Sequence, residues 1–256
     1  MKHQYFGDIN DYRKYGLLRL LAVEGGFKLG ITWMLTPADG RPDGGKIDYL
    51  DQPGRWRAHD PDLFDHLASA LKGDGARNLG ALAAHNLIPG ARYHSDILED
   101  GVAARAAYMK TMLDAFKGLD MVFFDPDNGM EVKSCPPGRK GSSKFLACHE
   151  AAATFATGAS LIVFQHYCRV ERGSYARQQA QRLADITGAK VILPVATAHV
   201  LFLLAPHPCH VPAAQRALEA LDTRWPGQFW HVDSGLRDHS DAHVYEGPKE
   251  VPWKPL

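Results

Sequence analysis

The 256-residue chain lacks net charge, since 29 Lys and Arg balance 29 Asp and Glu. Composition alone therefore gives no reason to expect bulk electrostatic attraction to nucleic acid. Also missing is any apolar run near the roughly 18 residues that a membrane span requires. The opening Met1-Lys2-His3-Gln4-Tyr5 has no apolar signal region. The chain is expected to stay in the cytoplasm, with no membrane partner. Its four cysteines, Cys135, Cys148, Cys168 and Cys209, form no Cys-x-x-Cys pair, which fits reduced buried thiols and not a disulfide framework or a zinc site. No internal repeat is visible.

What the chain does have is alternation. Residues 10 to 23 read as a helix that Asp8 or Asn10 can cap, with Leu17, Leu18, Leu20 and Leu21 on its apolar side and Gly25-Gly26 as its stop. Leu29 to Leu35 reads as a buried strand, followed by a loop from Thr36 to Gly45 rich in Gly, Pro and Asp. Ile47 to Leu50 reads as a second short strand, and Arg92 to Ser95, Asp120 to Phe124 and Ser160 to Phe164 as further ones. Helices are expected over residues 61–71, 101–117, 144–157, 174–187 and 213–223. The order implies one α/β domain over residues 1–226, built on a doubly wound, mostly parallel sheet that binds ligands outside the carboxyl ends of its strands. Val191 to Val195 and Val200 to Leu204 are too close for a helical crossover, so they should form an antiparallel hairpin at one edge. Residues 227–256 read as an extended polar tail, with His231, His239 and His243 solvated.

The apolar run Met121 to Phe124 leads into Asp125-Pro126-Asp127-Asn128-Gly129. Proline keeps Asp125 extended, and Gly129 permits a positive φ. Beside a plain Asx-type turn, two functional readings are open. In one, Asp125 and the Pro126 carbonyl accept hydrogen bonds from an amine and orient it for attack. In the other, Asp125 and Asp127 ligate a divalent metal for phosphate chemistry, with His166 as the base. Lys14 shares the stripe of Leu17, Leu18 and Leu21. Either its stem packs while its ammonium snorkels to water, or its charge is aimed into a site. Lys133, Arg139, Lys140 and Lys144 follow one strand, and Arg169, Arg172, Arg177 and Arg182 follow the next. They would form one basic rim if both strands open on the same side, and otherwise a solvated face.

The segment Phe6-Gly7-Asp8-Ile9-Asn10-Asp11-Tyr12-Arg13-Lys14-Tyr15 resembles the G-N-x-x-D-x-x-K-H opening of the bacterial enzymes that methylate adenine N6 in 23S ribosomal RNA. Gly7, Asp11 and Lys14 match it, while Asp8 and Tyr15 stand for Asn and His. Thr36 to Gly40 falls where that family binds S-adenosylmethionine, and Asp125-Pro126-Asp127-Asn128 falls on its D-P-P-Y motif. Phe155-Ala156-Thr157-Gly158, the strand after it and the terminal hairpin also look alike in order and spacing. The resemblance implies a class I methyltransferase-like Rossmann fold with S-adenosylmethionine held by Thr36, Asp39, Gly40 and Asp96. It implies a catalytic group of Lys14, Asp125, Pro126, Asp127, Asn128 and His166. On the methyltransferase reading, a nucleic acid substrate is expected to be met by Tyr5, Arg139, Lys140, Tyr167 and Arg169. Asp127 and Asn128 replace the second proline and the tyrosine, which removes a stacking surface worth about 1 to 3 kcal/mol per base. Tyr167, His166 or Phe124 could supply that surface. The same motifs, with DPDNG and Gln165-His166-x-x-Arg169, also resemble a bacterial and phage group; that resemblance carries no activity and implies that DPDNG is a settled variant. A divalent-metal enzyme acting on nucleic acid or nucleotide phosphates fits the same residues, as does a nucleic-acid-binding module without chemistry.

Overall fold

The computed structural model of the chain describes residues 1–37, 44–72 and 77–236. Helix α1 (Ile9–Val23) starts where Asp8 accepts hydrogen bonds from the backbone N–H groups of Asn10, at 2.8 Å, and Asp11, at 2.9 Å. There follow β1 (Leu29–Thr32), α2 (Pro53–Trp56), α3 (Pro61–Lys72), α4 (Gly80–Ala84), β2 (Arg92–His94), α5 (Val102–Ala115) and β3 (Met121–Phe124). Then come β4 (Gly129–Met130), β5 (Phe145–Leu146), α6 (Cys148–Ala156), β6 (Ser160–His166), α7 (Arg172–Thr187), β7 (Leu193–Ala196), β8 (Val200–Ala205), α8 (Val211–Arg224) and β9 (Trp230–His231).

Seven strands form one sheet in the order β2-β1-β3-β6-β8-β7-β9. The first four run parallel, with Thr32 beside Phe124 and Phe124 beside Val163. The β7–β8 hairpin then joins antiparallel, as its short connection requires. Period-two alternation divides the core between the two faces. Ile31, Phe123, Ile162 and Phe202 pack with the inner stripes of α1, α3 and α8. Val122, Phe124, Val163 and Leu203 pack with α5, α6 and α7. Helices cover both faces, so the architecture is Rossmann-like α/β, and the central parallel strands β1 and β3 are buried at every residue. Among the described residues no helix is long and apolar enough to cross a membrane.

Several expectations shift. Ile47 to Leu50 is no strand; residues Asp48–Asp51 form a 3-10 turn in which only Tyr49 is buried. Tyr49 stacks on Tyr12 at 5.1 Å and donates its hydroxyl to the Gly7 carbonyl at 3.0 Å, so this run packs through one aromatic ring instead of a sheet face. The helix expected from residue 144 begins at Cys148. Arg105 donates to both oxygens of Glu150, at 2.7 and 2.6 Å, and to the carbonyls of Ser142 and Phe145, at 2.9 and 2.7 Å, which ties the preceding segment to α5. Strand β6 continues to His166, placing that histidine at the end of the strand itself. Of the segment expected as a tail, Phe229 is buried, Trp230 and His231 add the edge strand β9, and His231 pairs with Asp222 at 2.7 Å. Residues 237–256, with His239 and His243, lie outside the described residues.

Candidate functional site

Chain order reverses between β1 and β3: β1 pairs with β2 on one side and with β3 on the other. Such a switch point leaves a crevice beyond the strand ends. The exits of both strands line it. After β1, Leu35 bridges to Ile97. Met34 is held at φ 46°, a left-handed conformation costly for a side chain of its size. After β3 come Asp125, Pro126 and Asp127. The α-amino group of Met1 spans the gap, donating to the Met34 carbonyl at 3.2 Å and the Asp125 carbonyl at 3.3 Å and pairing with Asp127 Oδ1 at 2.6 Å. Thr36 completes this bracket, its N–H donating to the Met1 carbonyl at 3.0 Å and its hydroxyl to Asp127 Oδ2 at 2.9 Å.

Beside the bracket lies a cavity of about 450 Å³, within the usual range for a small-ligand site. Lys14 forms its floor. It does not snorkel: only 1% of it is exposed, and its Nζ donates to Asp11 Oδ1 and Asp125 Oδ2, both at 2.7 Å. The ammonium also lies 4.7 Å from the centre of the Phe164 ring, a cation–π contact. Asp11 is further held by the Tyr15 hydroxyl at 2.5 Å and the Gly7 N–H at 3.2 Å. Burial acts to lower the Lys14 pKa, but Asp11 and Asp125 outweigh it and raise the net value, so Lys14 stays charged. Burial raises the Asp125 carboxyl above its ordinary value, against the pull of Lys14. Asp127, although burial opposes it, is held below its ordinary value by the Met1 amino group and the Thr36 hydroxyl. Asp8, also on the wall, is pushed up to about 6 by burial and then by repulsion from Asp11.

The expected residues divide clearly. Tyr5, Lys14, Asp125, Pro126, Asp127 and His166 line the cavity. His166 is exposed at the rim, packed edge-on to Phe164 at 5.0 Å. The atoms crowding it, and then Lys14, lower its pKa and keep it neutral at neutral pH. Asn128 is exposed and gives its backbone to β-type pairing, its N–H donating to the Lys144 carbonyl at 2.9 Å. Tyr167 packs against Tyr175, with the Arg172 guanidinium 5.1 Å above its ring, and does not line the cavity. Phe124 is fully buried on the opposite face of the sheet and offers no stacking surface. Arg139 donates back to the Ser134 carbonyl at 2.6 Å within its own loop, and Lys140 and Arg169 are exposed and do not line the cavity.

Sequence reasoning missed Met1, Asp8 and Phe164 as lining residues and Gln165 as a support. Phe164 was within reach, since it alternates with Ile162 and His166 along one face of β6. Gln165 joins three segments: its Oε1 accepts from the Met130 N–H at 2.8 Å, and its Nε2 donates to the Tyr175 hydroxyl at 2.8 Å and the Asn128 carbonyl at 3.4 Å.

For S-adenosylmethionine one free group suits the ligand. The Asp96 carboxylate, 72% exposed just beyond β2 and 3.4 Å from His94, can reach ribose hydroxyls as acidic groups do in Rossmann-like sheets. The Met34 and Asp125 carbonyls with Asp127 form a cradle that the Met1 α-amino group already fills, so it does not stand open to a ligand's ammonium. Asp39 and Gly40 lie outside the described residues. For a divalent metal, Asp125 and Asp127 are each already paired with an amino group. Among the described residues no three His, Cys, Asp or Glu side chains converge as a ligand set. No protein-family model and no curated protein matches the chain.

Proposed function

We propose that this protein is an S-adenosylmethionine-dependent methyltransferase acting on an exocyclic amino group of a nucleic acid base, adenine N6 in the first place. One observation carries the reading: a buried carboxylate at the end of a central strand, with one oxygen fixed by a buried lysine, on the wall of a base-sized cavity.

Lys14 binds Asp125 Oδ2, and among the described residues no hydrogen bond reaches Oδ1. Oδ1 and the Pro126 carbonyl then offer two acceptors for the two N–H groups of an amine. Holding both turns the nitrogen lone pair out of conjugation with the ring and toward the electrophile. Phe164 and His166 supply the apolar and aromatic wall against which a base can lie. The proton released as the N–C bond forms passes to Asp125, whose raised pKa suits it to accept. S-adenosylmethionine, when bound, would supply a methyl group activated on a sulfonium, its S–C bond breaking to leave the neutral thioether; Asp96 is the residue that would hold its ribose.

The test pairs calorimetry with labelled-methyl transfer to an adenine-containing strand. The wild type should bind the cofactor, and Asp125→Asn should fold but transfer at least about 100-fold more slowly. Absence of any heat of cofactor binding at millimolar concentration would overturn the reading.

A further inference from the structure

Lys14 joins Asp11 and Asp125 across the floor of the cavity, and Asp8 lines the same cavity. A short chain of bonds connects them: Lys14 donates to Asp125 Oδ2 and Asp11 Oδ1, both at 2.7 Å, and the Asp11 N–H donates to Asp8 Oδ1 at 2.9 Å. Asp8 Oδ1 also accepts from the Asn10 N–H, so both capping bonds use one oxygen. The other, Oδ2, is left without a hydrogen bond among the described residues, although Asp8 is only 7% exposed. Asn10 lines the cavity too, and its Oδ1 is buried with no partner among the described residues. An acceptor buried without a donor is costly, which marks this end of the cavity as one that a ligand completes.

The charges on this wall do not balance. Asp127 is paired with the Met1 amino group, and Lys14 alone serves Asp11 and Asp125. Both Asp11 oxygens are occupied, Oδ1 by Lys14 and Oδ2 by the Tyr15 hydroxyl and the Gly7 N–H. Asp8 has no ion pair among the described residues and one free oxygen, so it is the carboxyl with room for a proton when a ligand displaces water. Its surroundings act the same way: burial and then Asp11 push it up to about 6 against the pull of Lys14. Arg13 on α1 and Tyr49 in the 3-10 turn also feel its charge, and Lys46, Asp125 and His166 share the cavity lining with it. We propose that Asp8, carrying a proton, is the specificity-determining residue of this cavity, donating from Oδ2 to the ring nitrogen that adjoins the amino group held by Asp125. Adenine presents such a donor and acceptor side by side, whereas hypoxanthine presents an oxo group and an N–H there. This rests on the reading of the cavity as a base pocket and gives that pocket a means of choosing its base. The proton enters from solvent as the base binds and returns to solvent on release.

Binding is measured by fluorescence anisotropy with a labelled single strand of about eight nucleotides carrying one adenine, and with the same strand carrying hypoxanthine in its place. Asn and Ser both cap helices, so Asp8→Asn and Asp8→Ser keep that function, and thermal melting checks that each is folded. Wild-type affinity for the adenine strand should fall roughly tenfold or more from about pH 6 to about pH 8. Asp8→Asn, whose amide donates at every pH, should lose that fall and bind more tightly than the wild type at the upper end. His166, lowered by burial to about 4, does not titrate in this range, and any titration of Asp125 is common to both proteins. Asp8→Ser, too short to reach the base, should bind about tenfold more weakly than the wild type at the lower end and prefer adenine less. Should Asp8→Ser fail to fold, the Asp8→Asn profile decides alone. Identical pH profiles in the wild type and Asp8→Asn, or unaltered affinity and preference in Asp8→Ser, overturn the proposal. Methyl transfer alongside that result leaves the reading of the cavity standing, and a wild type with no preference for adenine at any pH overturns both. Asp8-dependent preference without transfer keeps the base pocket and this proposal and removes the transfer chemistry.

Discussion

A lysine that is 1% exposed and bonded to two carboxylates concentrates the energetic cost of the site in one residue. Removing one member of such a group leaves the other charges buried and unpaired, which costs more than the pair contributes. Lys14→Met should therefore lower unfolding free energy by about 3 to 5 kcal/mol near neutral pH. The loss should shrink in acid. Without the ammonium the Asp125 carboxyl, already raised by burial, rises further above its unfolded value. The folded variant then keeps a proton that the unfolded chain has released, so its stability falls as pH rises. Urea titrations near pH 5 and near pH 8 read the difference. An equal deficit at both would mean that Lys14 matters through packing, not charge.

At the scale of elements, the acidic loop is held from β6. Gly129 has φ 99°, and an added Cβ would collide with the side chain of Gln165. Gly129→Ala should cost about 1 to 3 kcal/mol from backbone strain alone, and displacing Gln165 should loosen its bonds to Met130 and Tyr175. Hydrogen exchange at Met130, faster with no change in β8, would locate the effect; an unperturbed Met130 would count against the brace. Much at this scale was legible. The Asp8 cap, the leucine stripe of α1, the apolar central strand and the four-residue hairpin spacing are local signals, and each became the element it suggested. The site was legible only as a motif. Asp125 and Lys14 announce themselves by position, but their bond joins residues 111 apart, and the Met1 contact with Asp125 joins residues 124 apart. The Ile47 to Leu50 run misled because Tyr49 is satisfied by Tyr12 and Gly7, which no local pattern reveals.

For the whole molecule, the excess of buried carboxylate around the cavity should appear in the pH dependence of stability. Asp8 is 7% exposed, and its folded pKa of about 6 lies above an ordinary value of 3.8. The folded state binds this proton more tightly than the unfolded state, so the contribution is present below the unfolded pKa and lost as pH rises through about 6. A shift of this size corresponds to roughly 3 kcal/mol. His94 and His166 act in the opposite sense, since their lowered pKa values withdraw stability as pH falls below the unfolded histidine value. The wild-type profile therefore blends the two, and a variant must separate them. Asn caps a helix as well as Asp does, so Asp8→Asn should match the wild type near pH 4 and exceed it by up to roughly 3 kcal/mol near pH 8. The same excess charge bears on ligand choice. A cation bound in the cavity lowers the Asp8 pKa and should flatten the wild-type profile toward that of the variant. If S-adenosylmethionine stabilises the wild type much more than Asp8→Asn near pH 8, its positive charge sits within reach of Asp8; equal stabilisation of both would place that charge elsewhere.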